Sequence, residues 1–123
     1  MDLVVERTCG RNSVRYSRCM VQTITPQEAR ELISRNQVEV VDVREPNEWS
    51  GGHLAGSRLV PLGQLRQNPK EALPRDSIIF VCAAGVRSES AARLAIQNGL
   101  THVYNLRGGT RNWVKAGLPL VQD

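Results

Sequence analysis

Ser77-Ile78-Ile79-Phe80-Val81-Cys82-Ala83-Ala84-Gly85-Val86-Arg87-Ser88 is an apolar run that breaks into a short loop, just before a helical pattern beginning near Glu89. The run has the length and composition of a strand buried on both faces. Cys82 therefore falls at the C-terminal end of a buried strand, in a loop that feeds a helix N-terminus. The free N–H groups of a first helical turn and the positive end of its dipole both stabilise an anion there. A thiol in that position loses its proton more readily, and the thiolate is the nucleophilic form. Successive N–H groups along the loop form a cradle that holds an anionic sulfur without a dedicated general base. Gly85 supplies the bend, because glycine alone has free access to positive φ.

Outward from this loop, strand-like and helix-like segments alternate. Val21 to Ile24 is a short strand, and Thr25 is a good N-cap, with Pro26 and Glu28 following for a helix to about Arg35. Val38 to Val43 is a β-branched strand; Pro46 to Ser50 is one helical turn ended by Gly51-Gly52. Arg58 to Val60 is a strand and Leu62 to Gln67 a helical turn. Residues 88–98 form a helix with Ala91, Ala92, Leu94 and Ala95 inward and Gly99 as its stop. Val103 to Leu106 is the last strand and Thr110 to Ala116 the last helix. This alternation predicts an α/β domain over residues 21–123, its mainly parallel sheet covered on both faces. Ligands of such sheets bind beyond the carboxyl ends of the strands, where Cys82 lies.

A chain of 123 residues suffices for one domain with its own core. No run approaches the 18 apolar residues of a membrane span, and the N-terminus has no apolar stretch of a secretory signal. Three cysteines argue against a disulfide framework and for a reducing, cytoplasmic setting. The net charge of +4 divides into +2 over residues 1–20 and +2 over the rest, too diffuse for a nucleic-acid surface. Arg7, Arg11, Arg15 and Arg18 recur at helical spacing, but Asp2 and Glu6 dilute them and no apolar stripe opposes them. Residues 1–20 are therefore expected to be a disordered extension, and Met20 marks an alternative start. Cys9 and Cys19 within it are expected to be spectators. No Cys/His cluster has metal-ligand spacing and no glycine motif cradles a phosphate, so neither metal nor cofactor is expected.

Over residues 22–120 the chain resembles the rhodanese family of sulfurtransferases. Thr25-Pro26-Gln27-Glu28-Ala29 matches the family's opening helix. Val41-Asp42-Val43-Arg44-Glu45-Pro46-Asn47-Glu48-Trp49 is similar to its first signature. Gly52-His53-Leu54-Ala55-Gly56-Ser57 with Val60-Pro61-Leu62 is similar to its second. Leu106-Arg107-Gly108-Gly109, Trp113 and Gly117-Leu118-Pro119 match its C-terminal signature. These weak matches, in the right order and with the cysteine loop before the last, make one specific signal. The resemblance implies a three-layer fold with a five-stranded, mainly parallel sheet. It also implies transfer of a sulfane sulfur, from thiosulfate or a persulfide, through a Cys82 persulfide to cyanide or a thiol. The partners implied are a small-molecule donor and acceptor, with a thiol-bearing protein as a further candidate, acting on a monomer with no nucleic acid or membrane.

Cys82 is the expected nucleophile, and Ala83, Ala84, Gly85, Val86, Arg87 and Ser88 the loop around its sulfur. Arg87 has two candidate roles, holding an anionic donor or pinning the loop to a carboxylate, with Glu45 and Asp42 the candidates. Asp42, Arg44 and Glu45 are expected to hold loops together. His53 belongs to a glycine-histidine pair that the family uses architecturally, His102 has no expected role, and Trp49 and Trp113 are expected in the core or a pocket wall. The chain departs from the family where thiosulfate users place cations: Ala83 and Ala84 follow the cysteine, and Glu48 lies where some members have arginine. Two absent charges weaken the grip on a dianion by about 1–3 kcal/mol each. Two alternatives share parts of this pattern. Cys-dependent phosphatases and arsenate reductases use the same strand-loop-helix logic, with one more residue between cysteine and arginine in the phosphatases; non-catalytic rhodanese-like binding modules usually lack the cysteine.

Overall fold

The computed structural model describes residues 21–122, arranged as five strands and six helices. In chain order they are β1 (Gln22–Ile24), α1 (Pro26–Ser34), β2 (Glu39–Asp42), α2 (Pro46–Ser50), β3 (Arg58–Leu59) and α3 (Leu62–Gln67). After them come α4 (Pro69–Ala72), β4 (Ile78–Val81), α5 (Val86–Gln97), β5 (Val103–Leu106) and α6 (Gly109–Lys115). The single sheet has the order β1-β5-β4-β2-β3, and every pairing is parallel. The expected α/β class and five-stranded sheet are therefore found. The expected segments 1–20, with Cys9, Cys19 and the four arginines, lie outside the described residues.

β4 is central, and all four of its residues are buried. Its side chains alternate between two cores, as the period of a strand requires. Ile78, Phe80 and, just past the strand, Cys82 pack with Ala91, Ala92 and Ala95 of α5 and Leu65 of α3. Ile79 and Val81 pack on the other face with Ala29 of α1, Leu54 and Trp113 of α6. A strand covered on both sides needs apolar residues at every position, which is why this segment reads as a continuous run.

α1 begins on a complete capping box: Glu28 N–H donates to Thr25 Oγ1 (3.1 Å) and Thr25 N–H to Glu28 Oε1 (2.8 Å). One short helix, α4, has no counterpart in the expected elements; it is a single turn opened by Pro69, too short to show periodicity. The larger correction concerns α5. It starts at Val86, two residues before the expected position, because Gly85 takes the left-handed conformation (φ 97°) as its N-cap. Arg87 and Ser88 are thus the second and third residues of a helix, not members of a loop. Gly85 has no side chain to cap with, so the sequence carries no hydroxyl or carboxylate to mark this start.

At the opposite ends of the strands, Asp76 ties β4 to β5. Its carboxylate accepts from Thr101 N–H, Thr101 Oγ1 and His102 N–H. Burial pushes its pKa up, but these bonds and one from Ser77 N–H outweigh burial and hold it at about 2. His102 therefore has a structural place through its backbone. No helix among the described residues is long and apolar enough to cross a membrane.

Candidate active site

Cys82 leaves the end of β4 with its side chain on the α5 side of the sheet, 1% exposed. The turn that follows folds back so that Gly85 N–H points at Sγ from 3.0 Å, and the Ser88 hydroxyl lies 3.4 Å from it. Burial raises the thiol's pKa. The Ser88 hydroxyl and the N–H groups of Ser88, Ala84 and Gly85 act the other way, and the balance is a lowered value. The donors that oppose burial at the sulfur are first a hydroxyl and then backbone N–H groups, with no neighbouring base among them.

The loop is clamped from below by α6. The first-turn N–H groups of a helix have no partner within it, and here Thr110 N–H donates to Cys82 O (2.8 Å) and Arg111 N–H to Ala83 O (3.1 Å). That approach requires Gly108 and Gly109, at φ 72° and 62°. A Cβ on Gly109 would collide with the carbonyl oxygen of Cys82 and lie 2.5 Å from the carbonyl carbon of Ala83. The Gly-Gly pair was visible in the sequence as a C-terminal match, but its role in supporting the cysteine loop was not.

Arg87 pairs with neither Asp42 nor Glu45, contrary to the sequence reading. Its guanidinium makes a two-pronged bond to Glu48, Nη1 to Oε1 at 2.8 Å and Nη2 to Oε2 at 2.9 Å. Asp42 is already engaged: its oxygens accept from Arg44 Nε (3.0 Å), Arg44 Nη2 (2.8 Å) and Arg44 N–H (2.9 Å), all buried. Glu45 opens α2, and its N–H donates to Glu48 Oε1 (3.0 Å). One helical turn separates the two glutamates, and Glu48 is the one brought to α5. The guanidinium and the Glu45 N–H hold Glu48 at about pKa 2, against the opposing pull of burial.

Asp42 and Arg44 make no hydrogen bond to the cysteine loop among the described residues. Arg44 Nη2 also donates to Gly52 O (2.7 Å), so the pair ties the end of β2 to the end of α2 and thereby places Glu48. His53 is held against α2. It is 2% exposed, stacks on Trp49 with ring centroids 3.5 Å apart, and places Nδ1 2.9 Å from Trp49 O. Trp113 lies in the core and donates from Nε1 to Pro119 O (2.8 Å). Ala83 and Ala84 of the loop carry no charge, and Val86, the first residue of α5, stands 73% exposed.

With this geometry in place, the comparisons decide the family. The rhodanese-like domain model matches residues 25–116. The chain belongs to the rhodanese family. It is 37% identical over 92 residues to the thiosulfate sulfurtransferase GlpE of Pseudomonas aeruginosa (strain LESB58), covering 75% of this chain and 83% of that one. The crystal structure of a rhodanese-related protein from Thermoplasma volcanium superposes with a TM-score of 0.75 at 33% identity, covering 83% and 99% of the two chains. A Rhodopseudomonas palustris protein described as of unknown function and a possible tyrosine phosphatase superposes at 0.73 and 33%, covering 82% and 85%. Rhodanese relatives of this chain are thus sulfurtransferases at the family level.

Proposed function

We propose that this rhodanese transfers a sulfane sulfur through a persulfide on Cys82. The observation that carries the proposal is the buried Sγ held by Gly85 N–H and faced by Ser88, in a cradle that lowers the thiol's pKa. The thiolate attacks the sulfane sulfur of a donor, and the S–S bond of the donor breaks with its electron pair leaving on the remnant. That remnant is sulfite from thiosulfate, or a thiolate from a persulfide. The outer sulfur of the Cys82 persulfide carries the negative charge into the same field of N–H groups. A thiophilic acceptor, cyanide or a thiol, then takes that sulfur and restores the thiolate.

The walls favour an organic persulfide as donor over thiosulfate. Arg87, the cation at the loop's end, is neutralised by Glu48, and the two residues after the cysteine are alanines. Alanines beside the cysteine and an exposed Val86 suit the carbon body of a thiol-derived persulfide, on a small molecule or a protein. A cytoplasmic monomer, with residues 1–20 as an extension outside the catalytic domain, accompanies this reading. The likeness to a possible phosphatase supports a second reading, hydrolysis of an aryl phosphate.

The test is intact mass after brief incubation with thiosulfate or a glutathione persulfide, in wild type and Cys82→Ser. A gain of about 32 Da on wild type alone, reversed by cyanide, is the expected result. No adduct from either donor, or aryl phosphatase activity lost in Cys82→Ser, would overturn it.

A further inference from the structure

Asn105 stands out in the sheet. It lies in β5, between β1 and β4, and is 4% exposed. Asparagine is depleted in strands, and a buried carboxamide is costly unless both its ends are hydrogen-bonded. Its register partner on β4 is Phe80, so it shares the face on which Cys82 emerges two residues later. Both ends of its side chain serve the cysteine turn. Nδ2 donates to Gly85 O at 3.1 Å, and Oδ1 accepts from Ser88 Oγ at 2.5 Å. The Gly85 carbonyl can only accept, so the amide nitrogen must face it and the amide oxygen must face Ser88.

Ser88 is fully buried, and its hydroxyl has one proton. Two acceptors compete for it, Asn105 Oδ1 at 2.5 Å and Cys82 Sγ at 3.4 Å. While Cys82 is a thiol, S–H can donate to Ser88 Oγ and the hydroxyl to Asn105, and all three groups are satisfied. When Cys82 is a thiolate, the hydroxyl serves the sulfur only by leaving Asn105 Oδ1 buried against a lone pair. In a persulfide the charge sits on the outer sulfur, and the Ser88 proton is free to return to Asn105.

We propose that Asn105 is a positioning residue that competes with the Cys82 thiolate for the single Ser88 hydroxyl proton, disfavouring the bare thiolate relative to the thiol and the persulfide. Its last clause rests on the sulfur-transfer reading; the competition itself does not. The charged groups near the loop are Arg87, paired with Glu48 from α2 and still acting through space on Cys82; Asp42, paired with Arg44 at the end of β2; and Arg111 of α6. On the α6 side the contacts are the N–H groups of Thr110 and Arg111.

The experiment is the pH dependence of iodoacetamide alkylation on the full chain, read at Cys82 by peptide mass. Wild type, Asn105→Ala, Ser88→Ala and the double variant are compared. Asn105→Ala is expected to lower the Cys82 midpoint by about one pH unit, Ser88→Ala to raise it, and Asn105→Ala to add nothing once Ser88 is gone. A midpoint in Asn105→Ala that is unchanged or raised would overturn the proposal. So would an equal shift in the Ser88→Ala background, which would place the effect on the Gly85 carbonyl instead. If Asn105→Ala does not fold, wild type supplies the reading: the Asn105 carboxamide ¹³C signal should move with the Cys82 titration and return when a persulfide forms. A signal that does not follow the titration overturns the proposal. A protein that takes up no sulfur yet shows the alkylation pattern would overturn the sulfur-transfer reading alone.

Discussion

Glu48→Gln keeps the side chain's volume and an acceptor for the Glu45 N–H while removing the charge that grips Arg87. In the folded protein Glu48 is held at about 2, down from an ordinary 4.5, chiefly by the Arg87 guanidinium and then by the Glu45 N–H. A shift of that size corresponds to about 3 kcal/mol at 1.36 kcal/mol per unit. The two side chains are 31% and 37% exposed, so solvent screening reduces the contribution to about 1–2 kcal/mol. The folded value lies below the unfolded one. The stabilisation is therefore complete above pH 4.5 and is lost as pH falls through about 2. Thermal unfolding followed by circular dichroism from pH 7 to pH 2 is the assay. At pH 7 Glu48→Gln should melt roughly 4–15 °C below wild type, and the two curves should converge towards pH 2. Equal melting at pH 7, or a gap that persists at pH 2, would refute the reasoning. The same variant frees the guanidinium beside the loop. Its kcat/KM for thiosulfate should rise about 3- to 10-fold, with little gain for an organic persulfide.

Two further substitutions probe the supports of the site. Gly109→Ala adds a Cβ against the carbonyl oxygen of Cys82 at a φ of 62°; persulfide formation should fall at least about 100-fold as the α6 clamp is displaced, measured by sulfur uptake in protein that still melts cooperatively. Arg44→Met leaves the buried Asp42 carboxylate without its guanidinium, costing about 3–5 kcal/mol in urea unfolding, whereas Asp42→Leu/Arg44→Met should recover most of that loss. A single-variant loss below about 1 kcal/mol would show that the pair does not carry the β2–α2 connection.

Much of this architecture follows from local sequence. The β-branched and apolar runs at 38–43 and 78–81, the Thr25 capping box and the small residues along α5 each specify their element through contacts within a few positions. The cysteine at a strand end, with Gly85 three residues on, was enough to expect backbone N–H groups turned towards its sulfur, and Gly85 N–H is. The start of α5 was not, because its N-cap is a glycine in a left-handed conformation and not a capping side chain.

What only the tertiary structure decided is the company kept by those residues. Arg87 meets Glu48 across 39 positions, and Ser88 meets Asn105 across 17. Gly109 reaches the cysteine loop because α6 starts beneath it. Each pairing depends on the strand order, which sets β5 beside β4 in the register Phe80 to Asn105, and on the Asp42–Arg44 bond that aims α2. Local propensity has no access to that order. It arises from burying two faces of one parallel sheet at once, and the same packing brings Gly85 N–H and the Ser88 hydroxyl to the Cys82 sulfur.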